Sequence, residues 1–175
     1  MKYNIRKAKA ADAEEIAKVS TSSWKSTYEN ILPDSFLSSL DPRNKRSKWE
    51  EFIVEEAENF VYVVETMDGE VVGFCHGGLE RTRNYPFRGE LYAIYFYKEV
   101  QGDGLGQKLL EVLARKLQSE GIQSMLVWVL EENPYRRFYE TLGGAVLDEK
   151  QITIDGYELT EVAYGWTDVS VMINN

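Results

Sequence analysis

The sequence predicts an α/β fold in which about seven β-type segments alternate with helical ones. Three observations carry that reading. An apolar, aromatic run at residues 90–97 passes through Gly102, Gly104 and Gly106 into Leu105, Leu109, Leu110, Leu113 and Leu117, which recur at helical spacing. After that helix, residues 124–130 hold Met-Leu-Val-Trp-Val-Leu, a strand of the buried sort. Two strand pairs stand on either side, 60–65 with 71–79 about Asp68-Gly69, and 145–154 with 157–166 about Asp155-Gly156.

In chain order, residues 3–8 alternate well enough for an opening strand. Asp12, with Glu15 three residues on, predicts an N-cap and capping box for a helix that carries Ile16 and Val19 on one face. That helix continues past Trp24 toward Tyr28 before Pro33 interrupts. Residues 34–40 predict a short second helix with Phe36, Leu37 and Leu40 on one side. Pro42, then Trp49, Phe52 and Ile53, predict a third, ending near Glu58. Beyond the first strand pair, residues 81–88 form a polar connection. Gly121 is placed to close the leucine helix as its C′ residue. Asn133 and Pro134 open another helix carrying Phe138, Tyr139 and Leu142, closed by Gly143-Gly144. The stretch 167–175 is expected to be loosely held. With no repeat, low-complexity tract or linker, residues 1–175 are expected to form one domain.

Composition narrows the function classes. A 43% hydrophobic share beside 28% charged residues is that of a soluble globular chain, and the net charge of −9 argues against a nucleic-acid surface. The same charge leans toward a cationic partner. The single cysteine, Cys75, excludes an internal disulfide and a multi-cysteine zinc site, and its strand-like setting reads as a buried reduced thiol. No long apolar segment or basic-apolar leader is present, so no membrane role is expected and the cytoplasm is the default location.

The glycine loop joins a strand to a helix N-terminus, where bare backbone N–H groups and the positive end of the helix dipole can approach a phosphate. Two phosphate motifs fail. Counting from Gly102, the sixth position of a dinucleotide fingerprint is Gln107 instead of glycine, and no Gly-Lys-Ser/Thr run exists. The pattern Gln/Arg-x-x-Gly-x-Gly/Ala is filled by Gln101, Gly104 and Gly106.

That pattern resembles the pyrophosphate loop of the GNAT superfamily, the Gcn5-related N-acetyltransferases that use acetyl-coenzyme A. A second segment, Asn133-Pro134-Tyr135-Arg136-Arg137-Phe138-Tyr139-Glu140-Thr141-Leu142-Gly143-Gly144, is similar to the motif in which an Asn opens a helix, a Tyr follows six residues on and a Gly ends it. Gly143-Gly144 stands where the family has Gly-Phe, and Lys98 where it has Pro. The ending Glu161-Val162-Ala163-Tyr164-Gly165-Trp166 resembles one bacterial branch of mostly uncharacterised members.

The resemblance implies a mixed central sheet, flanked by helices and splayed at two central parallel strands, with pantetheine lying in the gap like an added strand. It implies backbone contacts from Ile94, Tyr95 and Phe96, with the Phe96 N–H polarising the thioester carbonyl. Gly102, Asp103, Gly104, Leu105, Gly106 and Gln107 would wrap the pyrophosphate. Tyr139 would be the general acid at the departing thiolate, and Asn133 would either bond the pantetheine or cap the helix. Glu90 matches the general base of one branch and is expected to have a raised pKa, with His76 as an alternative relay. Trp24, Tyr28 and Tyr85 are candidates for an aromatic acceptor wall.

The implied reaction is direct acetyl transfer in a ternary complex to a small, polyamine-like amine or a protein amine, with no metal. The competing reading is a non-catalytic acyl-coenzyme A sensor. Exposed sheet edges at the C-terminal strands are compatible with a homodimer.

Overall fold

The computed structural model describes residues 2–173. Its seven strands are β1 (Tyr3–Lys7), β2 (Asn59–Thr66), β3 (Val71–Leu79), β4 (Gly89–Phe96), β5 (Met125–Leu130), β6 (Ala145–Ile154) and β7 (Tyr157–Trp166). They form one mixed sheet in the order β1-β2-β3-β4-β5-β7-β6, in which only β4 and β5 run parallel. That pairing spans three residue pairs, Gly89 with Met125, Glu90 with Leu126 and Leu91 with Val127. Past them the two strands diverge, β4 running on to Phe96 and β5 to Leu130 without partners on the facing edges. The remaining neighbours pair antiparallel.

Helices α1 (Ala13–Thr27) and α3 (Arg46–Val54) cover one face of β1–β4, where Ile16, Ala17 and Val19 meet Val61, Val63 and Phe74. On the same side, short α2 (Asp34–Ser39) closes a smaller cluster of Tyr28, Leu32, Leu37 and Leu130 above β5–β7. The opposite face belongs to α4 (Leu105–Ser119), whose Leu109, Leu110, Leu113 and Leu117 are fully buried. Each such side chain contributes about 1.5–3 kcal/mol through the apolar surface it removes from water. As the sequence predicts, Gly121 closes this helix in the left-handed region (φ 73°), and Ile122 N–H donates back to Leu117 C=O at 2.9 Å.

Three local expectations are corrected. Asp12 does not cap α1 with its side chain. It turns back instead, where Arg6 donates to both carboxylate oxygens (2.7 and 2.9 Å) and Lys9 N–H donates at 2.7 Å. The segment after Asn133 opens as turn over residues 134–136, and its helix α5 is only Arg137–Thr141. Residues 167–173 are not loosely held. Val169 N–H donates to Gln123 C=O at 2.8 Å, and Val169 and Met172 are buried beside α4. Two apolar anchors in a 3-10 turn explain the docking, and residues 174–175 lie outside the described part.

Asp12 makes the protein acid-sensitive in a predictable sense. Burial alone would raise its carboxyl, but the hydrogen bonds from Arg6 and Lys9 outweigh it and hold the group below the usual 3.8. A depressed folded value contributes stability that is present above the unfolded pKa and is lost as pH falls through the folded one. Asp12→Asn is therefore expected to cost about 1–2 kcal/mol at pH 7 and to lose less Tm than wild type between pH 5 and pH 2. A melting series across that range checks it.

Candidate active site

The divergence of β4 from β5 creates the site. Tyr97 N–H donates to Val72 C=O (3.0 Å), so strand alternation turns the N–H groups of Ile94 and Phe96 away from β3 and into the gap. Gln101 Nε2 donates to the Phe96 carbonyl at 3.3 Å and braces the strand end. A register skip between His76 and Gly77 leaves Tyr92 as an extra residue on β4. This bulge turns Glu90 and Tyr92, before it, and Ala93 and Tyr95, after it, toward the α1 side.

Two cavities open on this gap. A groove of about 440 Å³ runs along Ile94, Tyr95 and Phe96 to the loop before α4. Gly102, Gly104, Leu105, Gly106 and Gln107 line its end, while Asp103 stands outside it. Gly102 (φ 91°) and Gly104 (φ 72°) hold left-handed backbone, and nothing lies within 4 Å of where a β-carbon would project. Gly104 is also the N-cap of α4, so the helix's unpaired amides face the groove. Such a surface suits an anion that carries its own oxygen acceptors.

The second cavity, about 190 Å³, lies on the α1 side between β4 and β5. Ile94, Tyr95, Asn133 and Tyr139 line both cavities, which therefore meet at these four residues. Asn133 does two things there. Its Oδ1 accepts from Tyr135 N–H (2.9 Å), capping the turn into α5, and its Nδ2 donates to the Tyr28 hydroxyl (3.1 Å). Trp24 Nε1 donates to the Tyr95 hydroxyl (3.0 Å) and its ring packs on Tyr28 at 4.6 Å. Trp24 and Tyr28 thus stand in the second cavity's wall. Tyr85 does not; it meets Trp128 edge-on, ring centres 5.7 Å apart, and its hydroxyl donates to Asp148 (2.8 Å).

The Tyr139 ring is packed among Phe138, Tyr164 and Trp166. Burial, with Tyr95 and Tyr28 close by, pushes its phenol above the ordinary 10, so it stays protonated throughout the neutral range. The same effect puts Tyr95 at about 12.

Glu90, the residue matched to a general base, lines the second cavity, but its carboxylate is not free. It is 2% exposed and accepts from Arg81 three ways, from the backbone N–H (3.0 Å), Nη2 (2.7 Å) and Nε. Those donors fill lone pairs that a base would need. His76 is not on the cavity. It lies 2.7 Å from Asn59 Oδ1 behind Tyr92, and burial lowers its pKa to about 4, which leaves it neutral and structural. Cys75 is fully buried and pushed up to about 12, so it is no nucleophile.

Among the residues of the second cavity that sequence reasoning misses are Trp128, Lys150 and Glu161. A signal for two of them exists, since a two-residue turn at Asp155-Gly156 sets Lys150 directly opposite Glu161. Among the described residues, no group of three or more His, Cys, Asp or Glu could hold a metal ion, and no helix is long and apolar enough to cross a membrane.

With this geometry in place, comparison with known proteins is informative. Residues 71–152 match the family described as FR47-like protein. The uncharacterized N-acetyltransferase YuaI of Bacillus subtilis (strain 168) is 38% identical over 168 residues, covering 96% of this chain and 95% of its own. Among solved structures, PaiA N-acetyltransferase from Thermoplasma acidophilum, in complex with coenzyme A, superposes with a TM-score of 0.75 at 24% identity, covering 93% of this chain and 98% of that one. The structure of yncA from Salmonella typhimurium with its cofactor acetyl-CoA gives 0.72 at 21%, with 96% and 95% covered. At those identities the two structures speak for the fold, and the B. subtilis relative speaks for the family. The chain belongs to the GNAT superfamily of N-acetyltransferases.

Proposed function

We propose that the protein transfers the acetyl group of acetyl-coenzyme A directly to a primary amine, the two substrates entering from opposite cavities and meeting at Tyr139. The observation that carries this reading is the sharing of Ile94, Tyr95, Asn133 and Tyr139 by a groove that ends in bare amides and a second, aromatic cavity. The relatives solved with coenzyme A and acetyl-CoA support the choice of co-substrate. So does the fit of the groove, where open Gly102 and Gly104 amides suit a pyrophosphate and unpaired strand N–H groups suit a pantetheine amide.

In this reading the loop from Gly102 to Gln107 and the α4 N-terminus hold the pyrophosphate. Ile94 and Tyr95 place the pantetheine. The Phe96 N–H donates to the thioester oxygen, whose negative charge grows as the amine attacks. Asn133 fixes Tyr28 and the turn that carries Tyr139. As the C–S bond breaks, Tyr139 gives its proton to the leaving sulfur and is reprotonated by the proton that the acylated nitrogen sheds, so the products are an amide, a free thiol and the phenol restored. An aliphatic acceptor arrives as an ammonium, with a pKa of about 10.4, and must shed a proton first. It does so toward Glu161, whose carboxylate is the more exposed and whose one ion pair, to Lys150, is longer than the Arg81 clamp that occupies the Glu90 carboxylate. The acceptor is a small, polyamine-like amine or a protein amine. Strand β6 leaves a sheet edge exposed, which supports pairing of two copies.

Thiol release from acetyl-coenzyme A, measured across polyamines, amino acids, alkylamines and peptides, tests the reading. Amine-dependent release with stoichiometric amide is the expected result. Tight acetyl-coenzyme A binding without release for any amine would instead identify a sensor.

A further inference from the structure

The second cavity already holds an ammonium, one that belongs to the chain. Lys150 Nζ sits 4.0 Å from the centre of the Trp128 ring and 3.3 Å from Glu161 Oε2. The three residues come from adjacent strands and share one sheet face. Lys150 pairs with Glu161 across the β6–β7 hairpin, and Glu161 pairs with Leu130, two residues on from Trp128 on β5. All three line the cavity that ends at Tyr139. An aromatic face with a carboxylate beside it is the chemistry that receives an alkylammonium.

The two ion pairs of this cavity differ in a way that singles out Glu161. Glu90 is 2% exposed and takes three donors from Arg81, so its partner is fixed. Glu161 is 23% exposed and has one longer contact, to a lysine that is 44% exposed and rises from the edge strand β6. A half-exposed pair of this kind is weak and exchanges readily. Lys150's flexible stem can carry its charge into solvent, whereas Trp128 and Glu161 cannot follow it. The vacated place is then a preformed receptor for another ammonium. Glu161 shares its cavity with Tyr28, Tyr95 and Tyr139, which frame the junction with the groove, so a cation held by it occupies the chamber that opens on that junction.

We propose that the acceptor is an alkylammonium, a primary amine on an aliphatic stem, which displaces Lys150 from Trp128 and Glu161. Glu161 is the specificity-determining residue, and Lys150 is a built-in competitor that sets the acceptor concentration needed for occupancy. The inference rests on the acetyl-transfer reading for the direction in which the bound amine points. Its binding claim stands on this cavity alone.

The test uses the full chain, with n-butylamine as the cationic probe and aniline, uncharged at pH 7.5, as its comparison. Binding is read by calorimetry and tryptophan fluorescence, turnover by thiol release. Lys150→Met keeps the stem and removes the charge, and is expected to tighten butylammonium binding three- to tenfold. Glu161→Gln is expected to weaken it at least tenfold, while both variants bind aniline and acetyl-coenzyme A as wild type does. Unchanged or weaker butylammonium binding in Lys150→Met would overturn the inference, as would a Glu161→Gln loss equal for both amines. Failure of wild type to release thiol with any amine would sink the acetyl-transfer reading instead, and leaves the binding comparison intact.

Discussion

Replacing Tyr139 with Phe is expected to lower kcat by about 10²- to 10⁴-fold, the usual worth of a positioned proton donor, while acetyl-coenzyme A binds within about twofold of wild type, well inside the tenfold that 1.4 kcal/mol represents. The asymmetry follows from what the side chain touches. Its ring packs on Phe138, Tyr164 and Trp166, and phenylalanine keeps every one of those contacts. Only the hydroxyl at the junction of the two cavities is lost. The fold should barely notice, with Tm unchanged within a few degrees. Because the phenol is raised above its ordinary 10 by burial, wild type should also show no alkaline loss of kcat from this group below pH 10. Steady-state kinetics, calorimetry and a pH profile from 6 to 10 decide the matter. Equal turnover in the two proteins would remove Tyr139 from the chemistry.

Replacing Gly104 with Val is expected to weaken acetyl-coenzyme A binding about 10- to 100-fold. The backbone there lies at φ 72°, a region a β-branched side chain enters at a cost of about 1–3 kcal/mol. To escape that strain the loop must re-aim the amides proposed to hold the pyrophosphate. Strain alone could lower affinity by loosening the whole fold, so a matched control is required. Gly69, in the turn between β2 and β3, has φ 87° and equally open surroundings. Gly69→Val should lower Tm by a similar amount and leave acetyl-coenzyme A affinity untouched. If both variants lose affinity alike, the loop before α4 has no special claim on the phosphates.

The sequence carries the strands and their order of appearance well, because each is a short apolar or alternating run bounded by turn residues. Asp68-Gly69 and Asp155-Gly156 both mark turns, and the leucine repeat of α4 is buried residue for residue. Where local chemistry has two uses, the sequence is ambiguous. Asp12 has the residue type and spacing of a helix cap, yet an arginine six residues back on β1 captures it. Glu90 has the place of a base, yet Arg81 folds over it from a connection that reads only as polar. The bulge at Tyr92 leaves no mark in the pattern of apolar residues. The second cavity is less legible than the groove for the same reason. Its walls come from α1, β4, β5, β6 and β7, whose side chains meet only once the strands are ordered in space.

The three-pair contact between β4 and β5 has a mechanical consequence. The sheet is two plates, β1 to β4 and β5 with β7 and β6, stitched at one end and open at the other. A chain of amides laid along the open side adds rungs that the protein itself omits, turning a short seam into a full one. A ligand with amides along that side would therefore stiffen the sheet where the protein itself leaves it loosest.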